Sequence, residues 1–245
     1  MSWRIMLAVC ARVLRQLRRD PRTLAMLLVL PCALITLLWW MFKDSHGDLF
    51  DEFGPALLAI FPFIVMFLVT SVTTLRERST GTLERLLAMP MGKLDFLGGY
   101  ALAFGLVAAV QAALATTLSV WLLGLDIAGP LWLLALVAVV DAILGTALGL
   151  FVSAFAQTEF QAVQFMPLIV IPQILLCGLF IPRDEMPDVL HAVSDVLPLS
   201  YATDAMQHLT TSTSTGEVWA DLAVVAAFAV AALALGAATL RRRTP

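Results

Sequence analysis

Charge is scarce in this sequence. Only 13% of its 245 residues are Asp, Glu, Lys or Arg, while 60% are hydrophobic. A soluble domain carries about 25% charged residues and about 45–50% apolar ones, so this composition excludes an ordinary soluble globular protein and points to an integral membrane protein. Asparagine is absent, which leaves no N-glycosylation acceptor. The three cysteines, Cys10, Cys32 and Cys177, show no paired spacing and suggest neither a disulfide framework nor a metal site. No G-x-x-x-x-G-K-[ST] occurs; Gly92-Lys93 lacks both the upstream glycine and the following Ser or Thr, so the chain is not expected to cradle ATP phosphates itself. H-E-x-x-H and G-x-S-x-G are missing too, and His46, His191 and His208 all lie outside the apolar runs. Hydrolysis inside the membrane with a histidine base is therefore unsupported.

What the sequence does hold is apolar length. Six runs reach the roughly 20 residues that cross a bilayer, at about 24–42, 56–75, 97–123, 131–153, 163–181 and 218–240. The first follows an arginine-rich start but is long and has no A-x-A site after it, so it is expected to stay as an anchor. Six spans put Arg4, Arg12, Arg15, Arg18, Arg19, Arg22, Arg76, Arg78, Arg85, Lys93 and Arg241–Arg243 on one side. Only Lys43 and Arg183 fall on the other, among many acids, so the basic side, with both termini, is expected to be cytoplasmic. Trp39, Trp40, Trp121, Trp132 and Trp219 all fall at the opposite ends of the spans, as an aromatic belt does.

Residues 2–20 do not form a span. Trp3, Met6, Leu7, Cys10, Val13, Leu14 and Leu17 recur at helical spacing, with Arg4, Arg12, Arg15 and Arg19 largely opposite. That pattern predicts a basic amphipathic helix along the inner membrane surface, broken at Asp20-Pro21. A topology signal with no further role is the competing reading. One acid, Asp141, lies inside span four, where it is expected to face protein or water. It reads either as a substrate or proton contact, or as a hydrogen-bond tie to Gln111, Thr116 or Thr117 of span three. Gln157, Thr158, Glu159, Gln161 and Gln164 gather at the inner end of span five, as a vestibule lining or an ordinary polar loop.

Between spans two and three stands "RERSTGTLERLLAMPMGK", residues 76–93, polar and amphipathic between apolar runs. Leu83, Leu86 and Leu87 share a helical face, Gly81 and Glu84 have the spacing of a weak cap pair, and Pro90 ends the segment. The stretch resembles the loop between spans two and three of type-2 ABC exporter permeases of the daunorubicin-resistance kind. Its matching residues are Arg76, Glu77, Arg78, Gly81, Thr82, Leu83, Glu84, Leu86, Met89 and Pro90. A second match to that family lies late in the chain, at Gly178, Phe180, Pro182, Pro198, Tyr201, Asp204 and Met206. The resemblance covers essentially the whole chain, in order and in span count.

The resemblance implies an all-α membrane protein: one transmembrane domain over residues 1–245, six spans, an N-terminal connecting helix over 1–22, and short extracellular re-entrant helices within 182–217 that cap the exit. It implies a half-transporter that exports an amphipathic drug, lipid or polyketide-like cargo, working with a second permease subunit in a homodimer or heterodimer. Separate ABC ATPase subunits would carry ATP and Mg, and this chain would bind no cofactor and catalyse nothing. Residues 76–95 would be the coupling helix seated on the ATPase, with Glu77, Arg78, Glu84 and Arg85 as its polar contacts. A bacterial cytoplasmic membrane and contact with lipids follow, with no nucleic-acid partner. The alternative from another class is a proton-coupled secondary transporter, or a membrane protein without an ATPase, that uses Asp141. Pro167, Pro172 and Pro182 are expected to bend or break span five.

Overall fold

The computed structural model describes residues 2–43, 49–79 and 92–239. Among them the regular structure is entirely helical: α1 Trp3–Arg19, α2 Pro21–Phe42, α3 Leu49–Ser79, α4 Lys93–Thr117, α5 Leu131–Val152, α6 Glu159–Leu176, α7 Asp188–Ser194, α8 Pro198–Thr211 and α9 Gly216–Thr239. A π-type turn over Leu118–Leu122 extends α4, and a single 3₁₀ turn, Arg183–Glu185, precedes α7. Six of these helices are long and apolar enough to cross a membrane: α2, α3, α4, α5, α6 and α9. Helices suit that setting because every backbone hydrogen bond closes within the segment.

The observed ends refine the sequence reading. The first span begins at Pro21, because Asp20 caps it: the Asp20 carboxylate accepts from the Thr23 backbone N–H at 3.2 Å and from the Thr23 hydroxyl at 2.7 Å. The Asp20-Pro21 step is thus a junction between two helices, with proline at the first helical position where its missing N–H costs nothing. α6 starts at Glu159, capped by Thr158, and stops at Leu176. It runs continuously through Pro167 and Pro172; the break comes only after it, where Gly178 takes φ +90°.

α3 and α5 form the centre of the bundle, each with 67% of its most apolar window buried, against 17% for α2 and α6. Two glycines one turn apart explain the central contact. A Cβ on Gly145 would lie 2.5 Å from the Phe63 carbonyl oxygen, and one on Gly149 would lie 2.5 Å from that of Phe67. Gly145-x-x-x-Gly149 therefore lets the backbones of α3 and α5 touch, which is how apolar helices gain packing energy where no hydrophobic force separates them from lipid. The same device seats α1 on α4: a Cβ on Gly99 would meet the Val9 side chain at 2.6 Å. Met6, Val9, Cys10, Val13 and Leu17 form the buried stripe of α1, while Trp3 and Leu7 stay exposed. α8 is set deep in the bundle, with Leu199, Ala202, Ala205, Met206 and Leu209 fully buried against the central helices.

Candidate functional site

The residues that the sequence singles out gather at the two ends of the bundle and at two points inside it. At the basic end, α3 runs out toward residues 80–91. Gly81, Thr82, Leu83, Glu84, Arg85, Leu86, Leu87 and Pro90 lie outside the described residues, as does the side chain of Arg78. Arg76 and Glu77 are described, near the end of α3. The Arg76 guanidinium donates to both carboxylate oxygens of Glu159, at 3.0 Å from Nε and 3.3 Å from Nη2. Glu77 points elsewhere, because neighbouring residues on a helix do not share a face. Its carboxylate accepts from Arg12 Nη2 at 3.0 Å. One pair joins α3 to α6 and the other joins α3 to α1.

The chain returns from residues 80–91 at Gly92, where Asp95 opens α4. The Asp95 carboxylate accepts from the Gly92 backbone N–H at 3.1 Å and from the Ser2 backbone N–H at 2.7 Å. Both stems of the segment are therefore fastened to the same element: α1 holds the end of α3 through Arg12 and the start of α4 through Ser2. Of the polar group at the start of α6, Gln157, Thr158 and Gln161 bond to one another. Thr158 accepts from the Gln161 N–H at 3.2 Å, and Gln161 Oε1 accepts from the Gln157 N–H at 2.8 Å.

At the opposite end, the chain leaves α6 and folds back as α7 and α8. Gly178 makes the turn in the left-handed region that side chains rarely adopt. Beyond Pro182, Arg183 reaches the carboxylates of Asp204 on α8 and of Asp195 just past α7, and its guanidinium lies 5.1 Å from the Tyr201 ring centre. Burial works against the Arg183 cation, but the two carboxylates outweigh it and raise its pKa. Burial also pushes the Asp204 carboxyl up, with Arg183 pulling the other way. The Tyr201 hydroxyl donates to the Asp195 carbonyl at 2.8 Å, and the Ser194 and Ser200 hydroxyls both donate to the free Leu176 carbonyl, at 2.8 and 3.3 Å. Pro198 begins α8 at its first turn. Phe180, by contrast, is largely exposed and stands apart from this network.

Inside the bundle, Asp141 and Gln111 are both fully buried, yet they do not pair. Gln111 turns its amide to α2 and donates to the Leu27 carbonyl at 2.7 Å. Neither oxygen of Asp141 has a hydrogen-bond partner among the described residues, nor has the hydroxyl of Thr116. The tie from Asp141 to span three that sequence reading offered is not formed. Among the described residues, no three His, Cys, Asp or Glu side chains come together as a metal site.

The model of the ABC-2 type transporter family matches residues 5–210. The chain belongs to that family. Among its relatives, the "Probable multidrug ABC transporter permease YbhR" of Escherichia coli (strain K12) is 30% identical over 155 residues, 63% of this chain and 42% of the relative. The "Linearmycin resistance permease protein LnrN" of Bacillus subtilis (strain 168) is 26% identical over 189 residues, 73% of this chain and 48% of the relative. "ABC transporter G family member 20" of Dictyostelium discoideum is 24% identical over 169 residues, 69% of this chain and 23% of the relative. This ABC-2 family chain thus spans less than half the length of each. It is a multi-pass membrane protein of a permease family, with membrane transport as the family's business.

Sequence reading of this ABC-2 family chain missed the ion pairs. Arg12 appeared only as part of a basic face and Glu159 only as part of a polar cluster. Their partners lie 65 and 83 residues away, and nothing local announces such pairs. The Gly145-x-x-x-Gly149 spacing was a packing signal available in the sequence itself.

Proposed function

We propose that this chain is the permease subunit of an ATP-driven exporter in a bacterial cytoplasmic membrane, with both termini and residues 76–95 on the cytoplasmic side. Two such subunits would enclose one pathway. Separate ATPase subunits would dock on the 76–95 segment and close on ATP and Mg, pushing it. The cargo would be an amphipathic drug-like or lipid-like molecule, by analogy with relatives whose names mention multidrug transport and linearmycin resistance. The extracellular turn at Gly178, with Pro182, Pro198, Tyr201 and Asp204, would cap the exit.

The observation that carries this reading is the fastening of both stems of the segment. A push on residues 80–91 reaches α1 through Arg12–Glu77 and Ser2–Asp95, and reaches α6 through Arg76–Glu159. α6 is among the least enclosed spans, so a displaced inner end meets little packing resistance. Coupling needs such a contiguous physical link between the pushed element and a helix that has somewhere to go.

The test is a pull-down of the tagged chain from mild detergent, followed by an ATPase assay on what accompanies it. A co-purifying ATPase that is lost when residues 79–90 are scrambled supports the reading. A chain that transports with no ATPase present overturns it, and would make Asp141, buried and without a hydrogen-bond partner among the described residues, the first residue to mutate for proton coupling.

A further inference from the structure

From the basic end toward the middle of the bundle, α1, α2 and α4 leave a groove of about 170 Å³ lined by Leu14, Leu24, Leu28, Leu106, Val107 and Val110. Every lining residue is aliphatic. Its walls run along the spans: Leu24 and Leu28 are one turn apart on α2, and Leu106 and Val110 are one turn apart on α4. Leu14 on α1 is the remaining wall. One turn beyond Leu14, on the same face of α1, stands Arg18; Arg15 and Arg19, one turn apart from each other, line the adjoining face, and Arg22 opens α2.

These arginines are not occupied with carboxylates. Among the described residues, Arg15, Arg18, Arg19 and Arg22 form no ion pair, and all four are exposed. The Arg15 guanidinium is steadied by one bond to the Ala11 carbonyl at 3.1 Å. The one acid close by in sequence, Asp20, is engaged by the Thr23 hydroxyl and N–H. An apolar slot along the spans therefore opens beside a cluster of uncompensated guanidinium groups at the bundle's basic end. A water-soluble ligand would gain nothing from the slot, and a lipid without net negative charge would gain less from the arginines than an anionic one.

We infer that this groove is a site for one anionic glycerophospholipid, its acyl chain between Leu28 and Val110 and its phosphate on Arg18 and Arg15. Guanidinium groups suit a phosphate because their N–H donors match its oxygens in pairs. Each cation near the membrane surface contributes attraction to an anionic lipid, and the aliphatic groove supplies the position. The bound lipid covers the seam between α1 and α2, next to the helix that fastens the 80–91 segment. The inference does not rest on the proposed function, since it requires no ATPase and no cargo.

The test is native mass spectrometry of the full chain, purified in a mild nonionic detergent and supplied with equal amounts of phosphatidylglycerol and phosphatidylcholine. Wild type is expected to retain phosphatidylglycerol in preference. The double variant Arg15→Gln, Arg18→Gln should weaken that retention by roughly fivefold for each arginine removed. Val110→Trp, on a side chain 53% exposed and so not needed for packing, should fill the groove and lower retention with all charges kept. Arg4→Gln, far along α1, should change nothing, and monodisperse elution of each variant checks folding. Equal retention of the two lipids overturns the site. So does a preference unmoved by the arginine pair, or one unmoved by Val110→Trp, which would mean surface attraction without a groove.

Discussion

Arg183 at one end of the bundle and Arg76 at the other each bridge separate elements through carboxylates, yet their side chains are 12% and 59% exposed. Around Arg183 the contacts are dense: two carboxylates, an aromatic face, and a hydroxyl ladder onto Leu176. Around Arg76 there is a forked pair to Glu159, itself 48% exposed. Buried charge pairs are costly to break singly, whereas exposed pairs contribute little and are screened by salt. The difference teaches that Arg183 is clamped in place, whereas Arg76 is joined to Glu159 by an exposed, exchangeable pair. That exchangeable pair stands near the end of α3, before residues 80–91.

The comparison can be broken by mutation. Arg183→Leu should have the largest effect, because Arg183 is itself only 12% exposed and holds two carboxylates, Asp195 and Asp204; a loss of about 3 kcal/mol is expected. Thermal unfolding in detergent would read it as a marked fall in melting temperature, and an unchanged value would deny the clamp. Arg12→Leu should cost less, about 1–2 kcal/mol, since Arg12 is 26% exposed and Glu77 10%. It should also loosen α1, raising hydrogen exchange at Trp3–Arg19.

Arg76→Gln should cost at most about 1 kcal/mol, and less in high salt. Its effect should show instead in any ATP-coupled transport, and the swap Arg76→Glu with Glu159→Arg should restore it. Failure of the swap, with both single variants inactive, would mean that these residues act through other contacts.

The smallest effect concerns pH. Bonds from the Thr23 hydroxyl and N–H hold the Asp20 carboxyl below its ordinary value, so the folded chain takes up that proton less readily than the unfolded chain. The contribution is complete above the ordinary aspartate pKa of about 3.9 and fades as pH falls through the lower folded value. The melting-temperature gap between wild type and Asp20→Ala should therefore be steady at neutral pH and narrow below about pH 4. A gap that widens on acidification would reverse the sign and refute the cap.

Much of this was legible in the residues. The six spans, the amphipathic α1 and the helix break near Asp20 follow from periodicity and capping chemistry, which act over a few residues. Span ends were less legible: Thr158 as a cap moved the start of α6 to Glu159, and Gly178 marked its exit rather than either internal proline. The charged motif after α3 was visible as a motif, but residues 80–91 lie outside the described part of the structure.

By itself, the sequence determined the six helices that, among the described residues, are long and apolar enough to cross a membrane, which end carries the cations, and to which family the chain belongs. Those properties depend on composition and short spacing, and solvation by lipid or water enforces them residue by residue. Only the tertiary structure decided that α3 and α5 touch through Gly145 and Gly149, that Arg12 meets Glu77, that Arg76 meets Glu159, and that Gln111 turns to Leu27 rather than to Asp141. A cation can satisfy its charge on any carboxylate within reach. Which one it finds is set by how helices far apart in the chain pack against each other.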